Sequence, residues 1–124
     1  MLKVLIADDS ALMREQLVCI LSQLDQIEII GEARDGLEAI DSFRKLNPDV
    51  VILDIRMPKS SGLKVLESIK KDALHPIVIV LTNYPYPQYR KKFIEAGAHY
   101  FFDKSTEFDK IPEVLERLVL MSNT

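Results

Sequence analysis

Residues Asp49 to Gly62, DVVILDIRMPKSSG, decide how the rest of the chain is read. Four apolar residues, Val50 to Leu53, run straight into Asp54, and Pro58 and Gly62 then break the backbone. A short apolar run bounded by turn residues reads as a strand buried on both faces, as strands of parallel sheets are. Taking an unpaired carboxylate out of water costs several kcal/mol. Asp54 is therefore expected where the strand leaves the core, exposed at its carboxyl end, which is where open α/β sheets put their chemistry. The segment alone reads equally well as a strand that merely ends on a polar residue.

Upstream, Lys3 to Ala7 is a short apolar strand ending in two acids, Asp8 and Asp9. Ser10 suits a helix N-cap, and Leu12, Met13, Leu17, Ile20, Leu21 and Leu24 are predicted to share one helical face. Ile27 to Ala33 is a second strand, closed by the turn signal Asp35-Gly36. Ala39, Ile40, Phe43 and Leu46 mark a helix that Asn47-Pro48 stops. Downstream, Leu63, Leu66 and Ile69 give a third helix, and Ile77 to Leu81 a strand ending at Thr82. Tyr89, Phe93 and Ala96 carry a fourth helix terminated at Gly97. His99 to Phe102 is a fifth strand, followed by Asp103 and Lys104. Ile111, Val114, Leu115 and Leu118 define the last helix, with Pro112 tolerated in its first turn. Strict alternation of strands and helices predicts an α/β fold with a parallel sheet covered on both faces.

Composition narrows the function. With 124 residues the chain has the size of one domain, and its 48% hydrophobic and 28% charged residues are those of a soluble globular protein. The formal net charge is −3 without a Lys/Arg stripe, so direct nucleic-acid binding lacks its basic footprint. The one cysteine, Cys19, excludes an internal disulfide and reads as a small core residue. The apolar runs are far shorter than the ~20 residues a membrane helix needs, and Met1 leads directly into a strand pattern, so no membrane insertion and a cytoplasmic location are expected. His75 and His99 are isolated and suggest no metal site.

The strand ends then fall into line. Strand one ends in Asp8-Asp9, strand three in Asp54, strand four in Thr82 and strand five in Lys104. Each alone has a bland explanation, since loops begin with polar residues; together they gather chemically capable groups at one sheet edge. With Asp35-Gly36, Glu38-Ala39, Met57-Pro58, Gly62 and Ala96-Gly97-Ala98, these residues make the chain resemble a receiver domain of a bacterial two-component response regulator, similar to the single-domain chemotaxis regulator. The likeness runs from Lys3 to about Met121. It implies the flavodoxin-like doubly wound fold with strand order 2-1-3-4-5, of which a chemotaxis receiver is a known example. It also implies a single receiver domain over 1–124 with no output domain.

The resemblance further implies the roles. Mg²⁺, with Mn²⁺ as a substitute, would be held by Asp8, Asp9, Asp54 and the backbone carbonyl of Arg56. Three converging carboxylates repel and raise at least one pKa unless cations offset them, and hard oxygen ligands suit such an ion. Asp54 would be the nucleophile that accepts a phosphoryl group from a phosphohistidine on a sensor histidine kinase or histidine phosphotransfer protein. Lys104 would meet the phosphoryl oxygens and Thr82 would donate its hydroxyl. Thr82 and Phe101, the latter three residues before Lys104, would form the switch, with Tyr100 on the opposite sheet face. The surface of helix four, strand five and helix five would change for a downstream effector protein. The chain would catalyse only its own phosphorylation and dephosphorylation.

Departures from the family pattern point to the edge of the site. Asn83 stands where a small residue is common, and Arg56 and Tyr84 each lie two residues beyond a site residue, positioned to overhang it and impede water. A long-lived phosphoryl state is expected. Ser105 replaces a common proline after Lys104. The tyrosine- and proline-rich segment Tyr84 to Tyr89 and the apolar helix end Leu118 to Met121 are readable as homodimer or effector contacts, or as ordinary packing. Two other classes compete. A phosphorylation-independent pseudo-receiver scaffold would be favoured by a missing acid or lysine, and all are present. An aspartate-dependent phosphohydrolase usually carries a second acid where this chain has Arg56.

Overall fold

A computed structural model of the chain describes residues 1–72 and 75–122. Five strands, β1 (Leu2–Ala7), β2 (Ile27–Ala33), β3 (Val50–Leu53), β4 (Ile77–Thr82) and β5 (Tyr100–Asp103), form one sheet in the order β2-β1-β3-β4-β5. Every neighbouring pair is parallel. Five helices alternate with them: α1 (Ala11–Leu21), α2 (Gly36–Leu46), α3 (Gly62–Lys70), α4 (Pro87–Glu95) and α5 (Lys110–Ser122). The flavodoxin-like order expected from the sequence is the order found.

Alternation along each strand divides the core in two. Leu5, Ala7, Val51, Leu53, Val78, Val80 and Phe101 face a cluster completed by Phe43 of α2, Leu66 of α3 and Phe93 of α4. Val4, Ile6, Val50, Ile52, Ile79 and Leu81 face the other cluster, closed by Leu17 and Leu21 of α1 and Ile111 and Leu115 of α5. Both strand faces are apolar because both are covered, which is why these strands read as continuous hydrophobic runs.

Short side chains set where the helices start. Ser10 accepts the Met13 N–H at 3.2 Å, Asp35 the Glu38 N–H at 2.8 Å and Ser61 the Lys64 N–H at 3.3 Å. Each cap satisfies a donor that has no intrahelical partner. Helix α4 has no side-chain cap and begins at Pro87, whose missing N–H would have no intrahelical partner at that position. Gly97, with φ of +113°, closes the turn after it.

Two expectations about α1 are corrected. Leu12 is exposed, not on the buried face. It precedes Leu17 by five residues, about 140° around the helix from the buried stripe. Cys19 is likewise exposed and not a core residue, because Leu17 and Leu21 on either side of it define the stripe and it lies on the far side.

At the sheet edge opposite the strand ends, His99 finishes the β4–β5 ladder. Its ring Nδ1 accepts the Val78 N–H at 3.1 Å, while its backbone N–H donates to the Val78 carbonyl at 2.9 Å. Desolvation, then the positive charge of Lys70, hold its pKa below the ordinary 6.5. Folding therefore favours the neutral ring, so this contribution to stability is present above 6.5 and is lost as pH falls through the lowered value. His99→Gln keeps an acceptor that cannot titrate. Thermal melts on acidification are expected to show the wild type losing stability that the variant retains, with the two alike at neutral pH.

Candidate functional site

The sheet register delivers the polar residues to one edge. Ala7 pairs with Leu53 and Leu53 with Val80, so Asp8 and Asp54 emerge side by side, and Asp54 donates its N–H to the Ala7 carbonyl at 3.0 Å. Thr82 pairs with Asp103, and Lys104 donates its N–H to the Thr82 carbonyl at 2.8 Å. The turn after β5 is fixed by Ser105, whose N–H and Oγ both donate to Asp103 Oδ1, at 2.9 and 2.7 Å.

Lys104 turns its ammonium inward. Its Nζ lies 2.7 Å from Asp8 Oδ2 and 3.3 Å from Asp54 Oδ2. Asp8, Asp54 and Lys104 are 2%, 6% and 8% exposed, so the expectation of an exposed Asp54 is corrected. The expectation assumed an unpaired carboxylate; the lysine supplies the pairing that makes burial tolerable. Asp9 remains exposed, yet one carboxylate oxygen each from Asp8, Asp9 and Asp54 lie within 4.8 Å of one another. Asp8 is further fixed by the Ser10 N–H on its Oδ1 at 2.9 Å.

The electrostatics follow from this packing. Burial raises the Asp54 pKa from 3.8 to about 6; Lys104 opposes the rise and the Asp8 charge adds to it. A raised carboxyl was expected from mutual repulsion, but desolvation is the larger cause. For Lys104 burial works against the charge, and its bonds to Asp8 and the negative charge of Asp54 outweigh it and hold the pKa above its ordinary value. Three oxygen donors of this kind suit a hard divalent cation such as Mg²⁺, which takes few protein carboxylates and keeps other oxygen ligands.

The other residues singled out for the site lie on β4, β5 and the loops that follow β3 and β4. Thr82 is fully buried, and its Oγ1 accepts the Tyr84 N–H at 2.8 Å. Arg56 and Asn83 are exposed and Tyr84 is half-buried. The Arg56 guanidinium sits 4.0 Å from the centre of the Tyr84 ring, a cation–π contact that joins the β3–α3 and β4–α4 loops. Phe101 lies behind the site, 3% exposed, with its ring centre 6.2 Å from that of Phe93. Tyr100 packs on the opposite face, as alternation requires, beside Phe102.

Arg14 had not stood out in the sequence. Its Nη1 donates to the Asp8 carbonyl at 2.7 Å and its Nε lies 3.4 Å from Glu32, so it ties the β1–α1 turn to β2. The signal was there to find: a charged residue three and seven positions before Leu17 and Leu21, on the inward stripe of an amphipathic helix.

Comparison with known proteins gives one consistent result. The family model for the response regulator receiver domain matches residues 4–116. The chain is 35% identical over 119 residues to the uncharacterized transcriptional regulatory protein YvfU of Bacillus subtilis, covering 96% of this chain and 60% of that one. It is 39% identical over 118 residues to the transcriptional regulatory protein BtsR of Salmonella typhi, covering 95% and 48%. The response regulator domain of Thermotoga maritima CheB superposes with a TM-score of 0.85 at 32% identity, covering 100% of this chain and 98% of that one. The chain thus spans about half the length of these curated relatives.

The raised Asp54 pKa makes a signed prediction. Folding favours the protonated acid, so the contribution of Asp54 to stability is present in full below 3.8 and is lost as pH rises through about 6. Asn is neutral throughout. In metal-free buffer, the melting temperature of Asp54→Asn relative to wild type is expected to climb between 3.8 and about 6 and then level off. A difference that is flat across that range would contradict the assignment.

Proposed function

The chain belongs to the response regulator receiver domain family of two-component systems, and from that premise we propose that it is a phosphoacceptor switch with Asp54 as acceptor. One observation carries the reading: the Asp54 carboxylate lies 3.3 Å from a buried ammonium and within 4.8 Å of two further acids, at the carboxyl edge of a parallel sheet.

On this reading an oxygen of Asp54 attacks the phosphorus of a phosphohistidine on a sensor histidine kinase or histidine phosphotransfer protein. The new O–P bond forms as the P–N bond breaks, and the electron pair leaves on the imidazole nitrogen. Asp8, Asp9, Asp54 and the Arg56 carbonyl would hold Mg²⁺ or Mn²⁺. Such an ion supplies positive charge that lets the acids and the phosphoryl oxygens approach one another. Lys104 transfers its ammonium from the two aspartates to the phosphoryl oxygens. The Thr82 oxygen already accepts from Tyr84, which leaves its O–H free to donate to the same group.

The output face is α4, β5 and α5. Phe101 is already buried against Phe93, so the switch works by repacking around that ring as Thr82 moves, without bringing an exposed ring indoors. Arg90 donates to the Phe101 carbonyl at 3.0 Å and links that movement to α4. A downstream effector protein reads the face. The exposed side chains of Tyr86, Leu120 and Met121 offer contacts for it or for a second copy of the chain. With a kinase partner of this kind, the protein works in the cytoplasm.

Two measurements test the reading. Intact-protein mass after incubation with acetyl phosphate should show a single adduct that requires Mg²⁺ and is missing in Asp54→Asn. A folded protein that binds Mg²⁺ and takes no adduct would favour a scaffold that works without phosphorylation. On this reading the Arg56–Tyr84 stack at the mouth of the two loops impedes the approach of water, so the adduct should be long-lived in Mg²⁺ buffer and decay several-fold faster in Tyr84→Ala. Loss within seconds from the wild type, or equal decay in the variant, removes the stack from the account.

A further inference from the structure

The β3–α3 loop, residues 55–61, carries Arg56 and is gripped at two places outside the reacting groups. At its base, the Gly62 N–H donates to the Ile55 carbonyl at 3.1 Å. A Cβ on Gly62 would overlap the Asp54 carbonyl oxygen and lie 2.7 Å from the Ile55 Cα, so the loop leaves directly over its own start. At its apex, the loop rests on the first turn of α2. The Gly36 N–H donates to the Pro58 carbonyl at 3.1 Å, and the Ser60 N–H shares that acceptor at 2.8 Å.

The apex contact leaves no room for a side chain. A Cβ on Gly36 would overlap the Ser60 carbonyl oxygen and lie 2.7 Å from its carbonyl carbon. These are backbone atoms and cannot rotate aside. Nor can α2 withdraw, because Ala39 and Phe43 anchor it in the core and the Asp35 cap fixes its start. Lys59, held at a φ of 69°, adds an ion pair to Asp35 at 3.6 Å.

We infer that Gly36 is a positioning residue for the metal-binding loop, setting the place of Arg56 beside Asp54 by letting Pro58–Ser60 lie flush on α2. The inference rests on the reading in which Asp8, Asp9, Asp54 and the Arg56 carbonyl hold Mg²⁺. An alanine at position 36 pushes Pro58 and Ser60 outward. With Gly62 fixing the other end, the displacement passes through Met57 to Arg56. Outer contacts that orient a ligand commonly matter about 10- to 100-fold in metal affinity.

Calorimetric titration of Mg²⁺ into the intact chain tests this, well below the melting temperature of each variant. Gly36→Ala is expected to bind Mg²⁺ about tenfold or more weakly than wild type. Gly31→Ala is the control: its added methyl would meet only the Leu46 and Leu5 Cδ1 atoms, at 2.8 and 3.3 Å, the ends of flexible side chains, with Leu46 at the opposite end of α2 from the Gly36 contact. It should bind Mg²⁺ as the wild type does, whatever its stability. Wild-type binding with equal affinity in Gly36→Ala overturns the role of Gly36 and leaves the metal site standing. A wild type that takes no Mg²⁺ overturns the metal-site reading itself. Should Gly36→Ala not fold, amide NMR of the wild type decides: the Gly36 resonance should shift with the same Mg²⁺ midpoint as that of Asp54. A Gly36 amide that stays still while Asp54 moves overturns the inference.

Discussion

The buried ammonium of Lys104 between Asp8 and Asp54 is the contact on which the arrangement of the site depends. Two carboxylates with almost no exposure would not remain charged side by side in a low-dielectric interior. The lysine offsets the cost of their burial, and the smaller cost of their repulsion, only in part, since the Asp54 pKa still stands at about 6. Three chain segments must therefore end at the same depth. The parallel register of β1, β3, β4 and β5 meets that demand without help from any loop.

The two halves of the site are held with unequal firmness. On the β1–β3 side, Arg14 ties the Asp8 carbonyl to Glu32, and glycines at 36 and 62 let backbone pack on backbone. On the β4–β5 side, α4 lacks a side-chain cap and contributes Phe93 as its one buried residue. It is linked to the site by the Arg90 bond to Phe101 and by Tyr89, which meets Arg56, and the loop before it by the Tyr84 N–H on Thr82 and the Arg56–Tyr84 stack. Segments with few buried contacts are the ones that shift at low free-energy cost. The fold thus separates a firm half that carries the acids from a yielding half that carries α4.

Much of this was legible in the sequence for physical reasons. Continuous apolar runs exposed the strands because two-sided burial forbids alternation, and Ser10, Asp35 and Gly97 marked helix ends through their own backbone chemistry. The polar residues at strand ends announced the site because topology alone brings such ends together. What escaped was whatever depends on a partner distant in sequence. Asp54 was expected in solvent because nothing in its own segment reads as a buried partner; Arg56 stays exposed, Lys59 pairs with Asp35, and Lys104, which does pair with Asp54, lies fifty residues away. Gly36 looked like a turn signal, and only the Ser60 backbone across the gap shows why a side chain is excluded there. Cys19 and Leu12 were misplaced by reading hydrophobicity without counting the angle between neighbours on the helix.

Charge accounting ties the firm half to the yielding one. A phosphoryl group on Asp54 would bring about −1.5 to −2 further charge into the cluster. On the proposed reading the Lys104 head, now held by Asp8 at 2.7 Å, would be drawn toward that group and away from Asp8. Its backbone is not free to follow, because the Lys104 N–H is bonded to the Thr82 carbonyl and Asp103 pairs with Thr82 in the ladder. A Thr82 drawn toward the phosphoryl group therefore pulls on two things at once. Through Oγ1 it moves the Tyr84 backbone and the stacked Arg56; through the β4–β5 ladder it bears on Phe101 and, by way of Arg90, on α4. On the proposed reading, the pairing that makes the resting site tolerable is thus the one that would be broken for the face of α4, β5 and α5 to change.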